Sequence, residues 1–217
     1  MIELDGPRLD PADGGAARAL VVMLHGVGAD GNDLIGIAPL WAQVLPGAAF
    51  VSPNAPEPCD MAPYGYQWFS LQDRRPAAML AGVAAAAPVL DAFLDRELAR
   101  HGLGPDRLAL VGFSQGTMTA LYTAPRRKVA VAGVLGYSGA LIGGEALPAD
   151  ARSKPPVMLV HGTADQIVPF GAMAAAEQAL AAAGLPVETH ARPGLGHGID
   201  QDGLRLGVGF LKRVLSL

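Results

Sequence analysis

The chain is poor in cysteine, aromatic residues and charge. Its 217 residues include one cysteine, 6% aromatic residues and 17% charged residues. A lone Cys59 excludes an intramolecular disulfide framework and suits a reducing compartment, so a cytoplasmic location is expected. Sixteen basic against twenty acidic side chains leave a net charge of −4. No basic excess is available to neutralise a phosphate backbone, and nucleic acid is not an expected partner. The longest weakly polar run, Ala77 to Leu90, is built largely of Ala, contains Pro88 and is too short to span a bilayer, so stable membrane insertion is not expected. Met1 to Ala17 is polar and does not read as a secretory signal. No Cys/His cluster has metal-ligand spacing and no phosphate-cradling loop is evident, so no cofactor is expected.

What the chain does have is apolar residues, at 51%, enough for a sizeable core and too many for disorder. Apolar runs of strand length fall at Ala19 to Leu24, Ala48 to Val51, Leu108 to Val111, Val131 to Gly136, Val157 to Val160 and Val187 to Ala191. Between them lie helical patterns: Asp33 to Leu45 with Asn32 as its cap, Arg75 to His101, Gln115 to Ala124, Ala172 to Ala183 and Gln201 to Val214. Pro88 implies a kink or a break in the second of these. Strands alternating with helices predict an α/β fold, a mostly parallel sheet covered on both faces, in one domain over residues 1–217. The segment Pro53 to Pro76 reads as irregular. It holds Tyr64, Tyr66, Trp68 and Phe69 within six residues. Such a segment is either functional or a satellite hydrophobic cluster under a long loop.

Gly112-Phe113-Ser114-Gln115-Gly116 matches G-x-S-x-G after an expected strand and at the start of an expected helix, the context in which the motif acts as a nucleophile elbow. Composition alone would give about 0.1 matches in a chain like this one, so the placement carries most of the weight. The glycines let strand and helix cross without Cβ clashes, and the helix N-terminus faces any negative charge that develops at the serine.

A serine needs a base held by a third group. Of the five histidines, His197 alone lies in a turn-rich loop late in the chain, Gly194 to Gly198. His25 and His161 each close an apolar strand before a glycine and are expected to orient loops. His101 sits at a helix end, and His190 lies in a late strand. The acid should follow a strand between serine and histidine. Asp165 does so, and Asp200 is its competitor. One oxyanion donor should be the Gln115 N–H, directly after the nucleophile. The other should come from Leu24 to Gly28, with Val27 N–H preferred over those of Gly26 and Gly28.

Four motifs, L-H-G-x-G at 24–28, G-F-S-Q-G at 112–116, H-G-x-x-D-x-x-V-P at 161–169 and G-x-G-H-G at 194–198, together resemble the phospholipase/carboxylesterase family of α/β-hydrolases. The resemblance implies the α/β-hydrolase fold, a Ser114–Asp165–His197 triad and oxyanion donors at Val27 and Gln115. It also implies that Trp68 lines the acyl site with Ile167 and Val168. Where thioesterases of this family continue the elbow with a further glycine, this chain has Thr117-Met118, and Tyr64 and Tyr66 precede Trp68. These departures favour the bacterial carboxylesterase branch.

Only about twenty residues, Tyr137 to Pro156, separate two strands where larger relatives insert a helical cap, so an open site without a cap domain is expected. The expected activity is hydrolysis of small to medium acyl carboxylic esters through an acyl-enzyme. An acyl-protein thioesterase or lysophospholipase is the alternative, and a non-catalytic binding protein the rival from another class. The expected partner is a small-molecule ester, although an apolar edge around Trp68 would serve a homodimer equally well. The charged runs Arg74-Arg75 and Arg126 to Lys128 read as solvated faces, and Cys59 is not at the elbow.

Overall fold

The computed structural model describes residues 3–217. In chain order its elements are β1 (Arg8–Leu9), β2 (Ala19–Leu24), α1 (Gly31–Ile35), α2 (Ala38–Ala42), β3 (Ala48–Val51), β4 (Glu57–Pro58), β5 (Tyr66–Gln67) and α3 (Pro76–His101), followed by β6 (Leu108–Phe113), α4 (Gln115–Thr123), β7 (Gly133–Tyr137), α5 (Leu147–Asp150), β8 (Val157–Gly162), α6 (Gly171–Ala182), β9 (Val187–Arg192) and α7 (Gln201–Leu215). Seven strands form one sheet in the order β1-β3-β2-β6-β7-β8-β9, parallel throughout except for β1.

The apolar strands divide their side chains between two cores with the period of two that a pleated strand imposes. Leu20, Val22 and Leu24 of β2, with Leu108 and Leu110 of β6, pack against α3, α4 and α6. Ala19, Val21 and Met23, with Ala109 and Val111, pack on the other face against Leu34, Trp41 and Phe210 of α1, α2 and α7. This two-sided burial is why the runs read as continuously apolar.

Several elements differ from the expectation. The single helix expected over Asp33 to Leu45 is two, because Gly36 interrupts it and Pro39, without an N–H, opens the second. Asp30 caps the first helix in place of Asn32, accepting a hydrogen bond from Asn32 N–H at 2.7 Å. Helix α3 runs through Pro88 without a break and ends at Gly102 in the left-handed conformation. By length and composition this 26-residue helix is long enough to cross a membrane, unlike the shorter run read from sequence. Here Val83, Leu90, Phe93, Leu94 and Leu98 are buried in the sheet's core. The two-residue strand β1 and the β4–β5 hairpin inside 53–76 were too short to give a periodic signal.

The order β3-β2-β6 places the sheet's reversal of direction at β2, so the crevice between the C-terminal ends of β2 and β6 is the position where ligands bind in open parallel sheets.

Helix α7 approaches the sheet closely at Gly207. A Cβ there would collide with the Tyr137 hydroxyl, with Leu135 Cδ2 at 2.8 Å and with Trp41 at 3.3 Å. Tyr137 cannot swing away without losing its hydrogen bond to the Gly203 carbonyl. Gly207→Ala is expected to lose about 1–3 kcal/mol by overpacking, read as a lower denaturant midpoint at an unchanged m-value.

Candidate active site

The turn from β6 into α4 is built around two missing side chains. A Cβ on Gly116 would overlap the carbonyl oxygens of Leu24 and His25, and one on Gly112 would meet the backbone of Thr117 at 2.5 Å. Without them, the start of α4 lies directly against the end of β2. Between these glycines Ser114 adopts φ 53° and ψ −116°, a left-handed strain rare for a non-glycine residue and typical of functional turns. Its N–H donates to the Tyr137 carbonyl at 2.9 Å and its own carbonyl accepts from Met118 N–H at 3.1 Å. The hydroxyl is thereby presented at the crevice.

Thr117 occupies the place of the further glycine because its own neighbours are glycines. Cβ atoms on Gly136 or Gly139 would strike its side chain. Its hydroxyl donates to the Tyr137 carbonyl at 2.9 Å.

His197 arrives from the loop between β9 and α7. Its Nε2 lies 3.0 Å from Ser114 Oγ and its Nδ1 lies 2.8 Å from Asp165 Oδ2. The Phe113 ring supports the imidazole, with centroids 4.9 Å apart. The loop is clamped at its ends: Arg192 grips Asp200 through contacts of 2.9–3.1 Å, and Asp200 caps α7 by accepting from Gly203 N–H. Asp200, the competing acid, therefore serves the loop's anchorage, and Arg192 holds its pKa below the usual carboxylate value.

Asp165 follows β8, and its side chain is fully buried. Oδ1 accepts from the N–H groups of Ile167 and Val168, each at 2.9 Å. Oδ2 accepts from His197 and lies 3.2 Å from His161 Nε2. Burial alone would raise its pKa, but the hydrogen bonds from His197, Val168 and Ile167 outweigh it and hold the pKa below the usual value. The carboxylate can only accept, so Nδ1 of His197 carries the proton and Nε2 is left facing the serine hydroxyl. His161 also reaches the Val168 carbonyl at 2.9 Å. Sequence reasoning assigned His161 to loop orientation but missed its contact with the acid, although its position four residues before Asp165 was the signal.

On the other side of Ser114 lies the loop after β2. Neither Val27 N–H nor Gln115 N–H donates to any other group among the described residues. A Cβ on Gly26 would sit 3.4 Å from Ser114 Cβ, which shows how closely this loop approaches the serine. The 53–76 segment ties the loop down: Gly28 N–H donates to Tyr66, and Tyr66 N–H to Ala29, each at 2.8 Å.

Of the three residues expected to line an acyl site, Ile167 is 69% exposed, Val168 is buried and Trp68 is only 1% exposed. The indole N–H of Trp68 donates to the His25 carbonyl at 3.0 Å. Its backbone N–H donates to Gln115 Oε1 at 2.9 Å, and Gln115 Nε2 donates to the Phe69 carbonyl at 2.7 Å. Trp68 thus holds the two loops beside Ser114 together. Among the described residues, no group of three or more His, Cys, Asp or Glu side chains is arranged to hold a metal ion.

His25 is completely buried, with Nδ1 2.7 Å from the Gly26 carbonyl and Nε2 accepting from Ala55 N–H at 3.0 Å. Burial lowers its pKa, opposed by the hydrogen bond to Gly26 and by Asp30 and Asp33. Below about pH 6.5 the unfolded chain binds a proton at His25 that the folded chain excludes, so stability should fall as pH falls. The expected slope is at most about 1.4 kcal/mol per pH unit, complete stability returning above that range. Denaturation curves from pH 5 to 8 should show this component in the wild type and lose it in His25→Asn.

A model of the Phospholipase/Carboxylesterase family matches residues 12–215. The chain is 29% identical over 196 residues to the esterase YpfH of Escherichia coli K12, covering 90% of this chain and 83% of that one. It is 32% identical over 225 aligned positions to the probable carboxylesterase Os04g0669500 of Oryza sativa subsp. japonica, covering 96% and 84%. Among solved structures, that of esterase PE8 superposes with a TM-score of 0.94 at 44% identity, covering 99% of this chain and 100% of the other.

Proposed function

Because the chain belongs to the phospholipase/carboxylesterase family, we propose that it is a serine carboxylesterase acting on small to medium acyl esters through an acyl-enzyme. The observation that carries this reading is the hydrogen-bonded series Ser114 Oγ, His197, Asp165, set beside two N–H groups that have no partner among the described residues.

In acylation, Ser114 Oγ attacks the ester carbonyl carbon while its proton passes to His197 Nε2. The carbonyl oxygen takes the negative charge and is held by the N–H groups of Val27 and Gln115. The buried Asp165 carboxylate stabilises the imidazolium across the 2.8 Å contact. As the tetrahedral species collapses, the C–O bond breaks and His197 gives its proton to the leaving alcohol. Water then enters, loses its proton to His197 and attacks the acyl carbon, and Ser114 departs with the proton restored.

The substrate range follows from how little covers the site. The connection between β7 and β8 holds only turns and the single turn of α5. Tyr64 and Ile167 stand exposed at 75% and 69%. An apolar groove of about 600 Å³ is lined by Met79, Leu80, Leu141 and Ile142. It lies between the start of α3, the segment after β7 and α6, and no residue of the triad lines it. A site left open in this way suits an acyl chain of modest length. The single cysteine agrees with action in the cytoplasm.

Hydrolysis of p-nitrophenyl esters from acetate to palmitate tests the reading. The wild type is expected to favour the shorter chains, and Ser114→Ala to lose about 10⁴-fold or more in kcat. A preference for palmitate or for long-chain thioesters would keep the triad and move the substrate towards lipids or acylated proteins. No cleavage of any ester would overturn the proposal.

A further inference from the structure

One donor of the proposed oxyanion site is Val27, whose N–H makes no hydrogen bond of its own among the described residues to set its direction. It is set by the other end of the same peptide. The Gly26 carbonyl and the Val27 N–H belong to one planar unit and point in opposite directions, so holding the carbonyl aims the N–H. Two donors reach that carbonyl: Ala29 N–H at 3.3 Å, which closes the turn, and His25 Nδ1 at the shorter distance of 2.7 Å.

The tautomer of His25 follows from its partners. Ala55 N–H can only donate, so Nε2 must be the unprotonated nitrogen, and Nδ1 carries the hydrogen given to Gly26. Ala55 lies beyond β3, so the imidazole references the loop after β2 to a neighbouring strand's end. The backbone of His25 is fixed independently, through its carbonyl, by the Trp68 indole. Trp68 is in turn held by the side chain of Gln115, the residue that supplies the other donor. Both oxyanion donors are therefore joined through one buried network in which His25 is the last link before the Val27 peptide.

We infer that His25 is a positioning residue whose neutral imidazole fixes the plane of the Gly26–Val27 peptide and aims the Val27 N–H at the transition-state oxyanion. This rests on the proposed esterase reading. His25 touches no substrate, being wholly buried with both ring nitrogens engaged. Its effect is confined to the charge that develops during reaction, not to binding of the neutral ester.

The experiment compares His25→Ala and His25→Asn with the wild type in three measurements. These are kcat and KM on a soluble p-nitrophenyl ester, affinity for an alkyl trifluoromethyl ketone that becomes a tetrahedral oxyanion on Ser114, and thermal unfolding. Removing one oxyanion donor costs about 10²–10³-fold, so His25→Ala is expected to lose kcat by about that factor with KM within about twofold. Trifluoromethyl ketone affinity should fall in parallel. The amide of Asn can still donate to the Gly26 carbonyl, and His25→Asn should recover at least about tenfold of the loss. If His25→Ala does not fold, His25→Leu, which fills the space but offers no donor to the Gly26 carbonyl, takes its place with the same expected losses.

A folded His25→Ala whose kcat and ketone affinity stay within about threefold of an active wild type would overturn the inference while leaving the esterase reading intact. So would an Asn variant no better than Ala, because packing alone would then explain the loss. If His25→Leu must stand in, unchanged ketone affinity has the same meaning. An inactive wild type would overturn the esterase reading and this inference with it.

Discussion

The site depends on one close crossing. Helix α4 starts against the end of β2 at a separation that leaves no room for a Cβ on Gly116, and β6 turns into α4 too tightly for one on Gly112. That crossing forces Ser114 into a left-handed backbone that no local preference would choose. The strain persists because the surroundings over-determine it: the Tyr137 carbonyl takes the N–H of Ser114 and the hydroxyl of Thr117, while Met118 N–H takes the Ser114 carbonyl. The same crossing brings the loop after β2 within contact of the serine. The proposed nucleophile and oxyanion donors are thus brought together by one packing constraint.

The charge behind the base is sustained in a different way. A carboxylate with a fully buried side chain would ordinarily take up a proton, since burial penalises its charged form. Asp165 escapes this through its donors, two backbone N–H groups on one oxygen and the His197 imidazole on the other. The backbone donors come from Ile167 and Val168, so the turn that follows β8 solvates the acid without water. A carboxylate fixed in this way cannot rotate to another partner. It orients His197 and keeps its negative charge available to the imidazolium.

The sequence was most informative where the proposed chemistry demands particular residue types. G-x-S-x-G, the late His197 and the Asp165 that follows a strand were legible because each combines chemistry with a place in the strand-helix alternation. The five apolar runs from β2 to β8 were legible because burial on both faces removes polar residues from them. What was not legible depended on contacts between distant segments. Gly36 and Pro39 split a helix whose composition reads as continuous. Two-residue strands such as β1 leave no periodicity to detect. The resemblance implies a Trp68 that lines the acyl site, yet the side chain is buried and its indole N–H donates to a carbonyl 43 residues earlier, at His25. Thr117 is explained only by Gly136 and Gly139 on another strand and its loop.

The chain carries the same two residues, His-Gly, at the ends of β2 and β8, and the sheet gives them opposite electrostatic tasks. His161 faces two acceptors, the Val168 carbonyl and the Asp165 carboxylate, so its Nε2 must carry a proton. His25 faces a backbone donor at Nε2, so there the proton must sit on Nδ1. Each imidazole reaches its own flanking loop, and each loop presents backbone N–H groups: to a carboxylate after β8, to the crevice beside Ser114 after β2. The difference lies in what already fills the loop. After β8 an internal anion, Asp165, occupies the N–H groups of Ile167 and Val168. After β2 the Val27 N–H has no partner among the described residues, and the strand lies at the reversal of the sheet, where ligands bind in open parallel sheets. The same local device therefore serves a resident negative charge at one strand end and, in the proposed reaction, a transient one at the other.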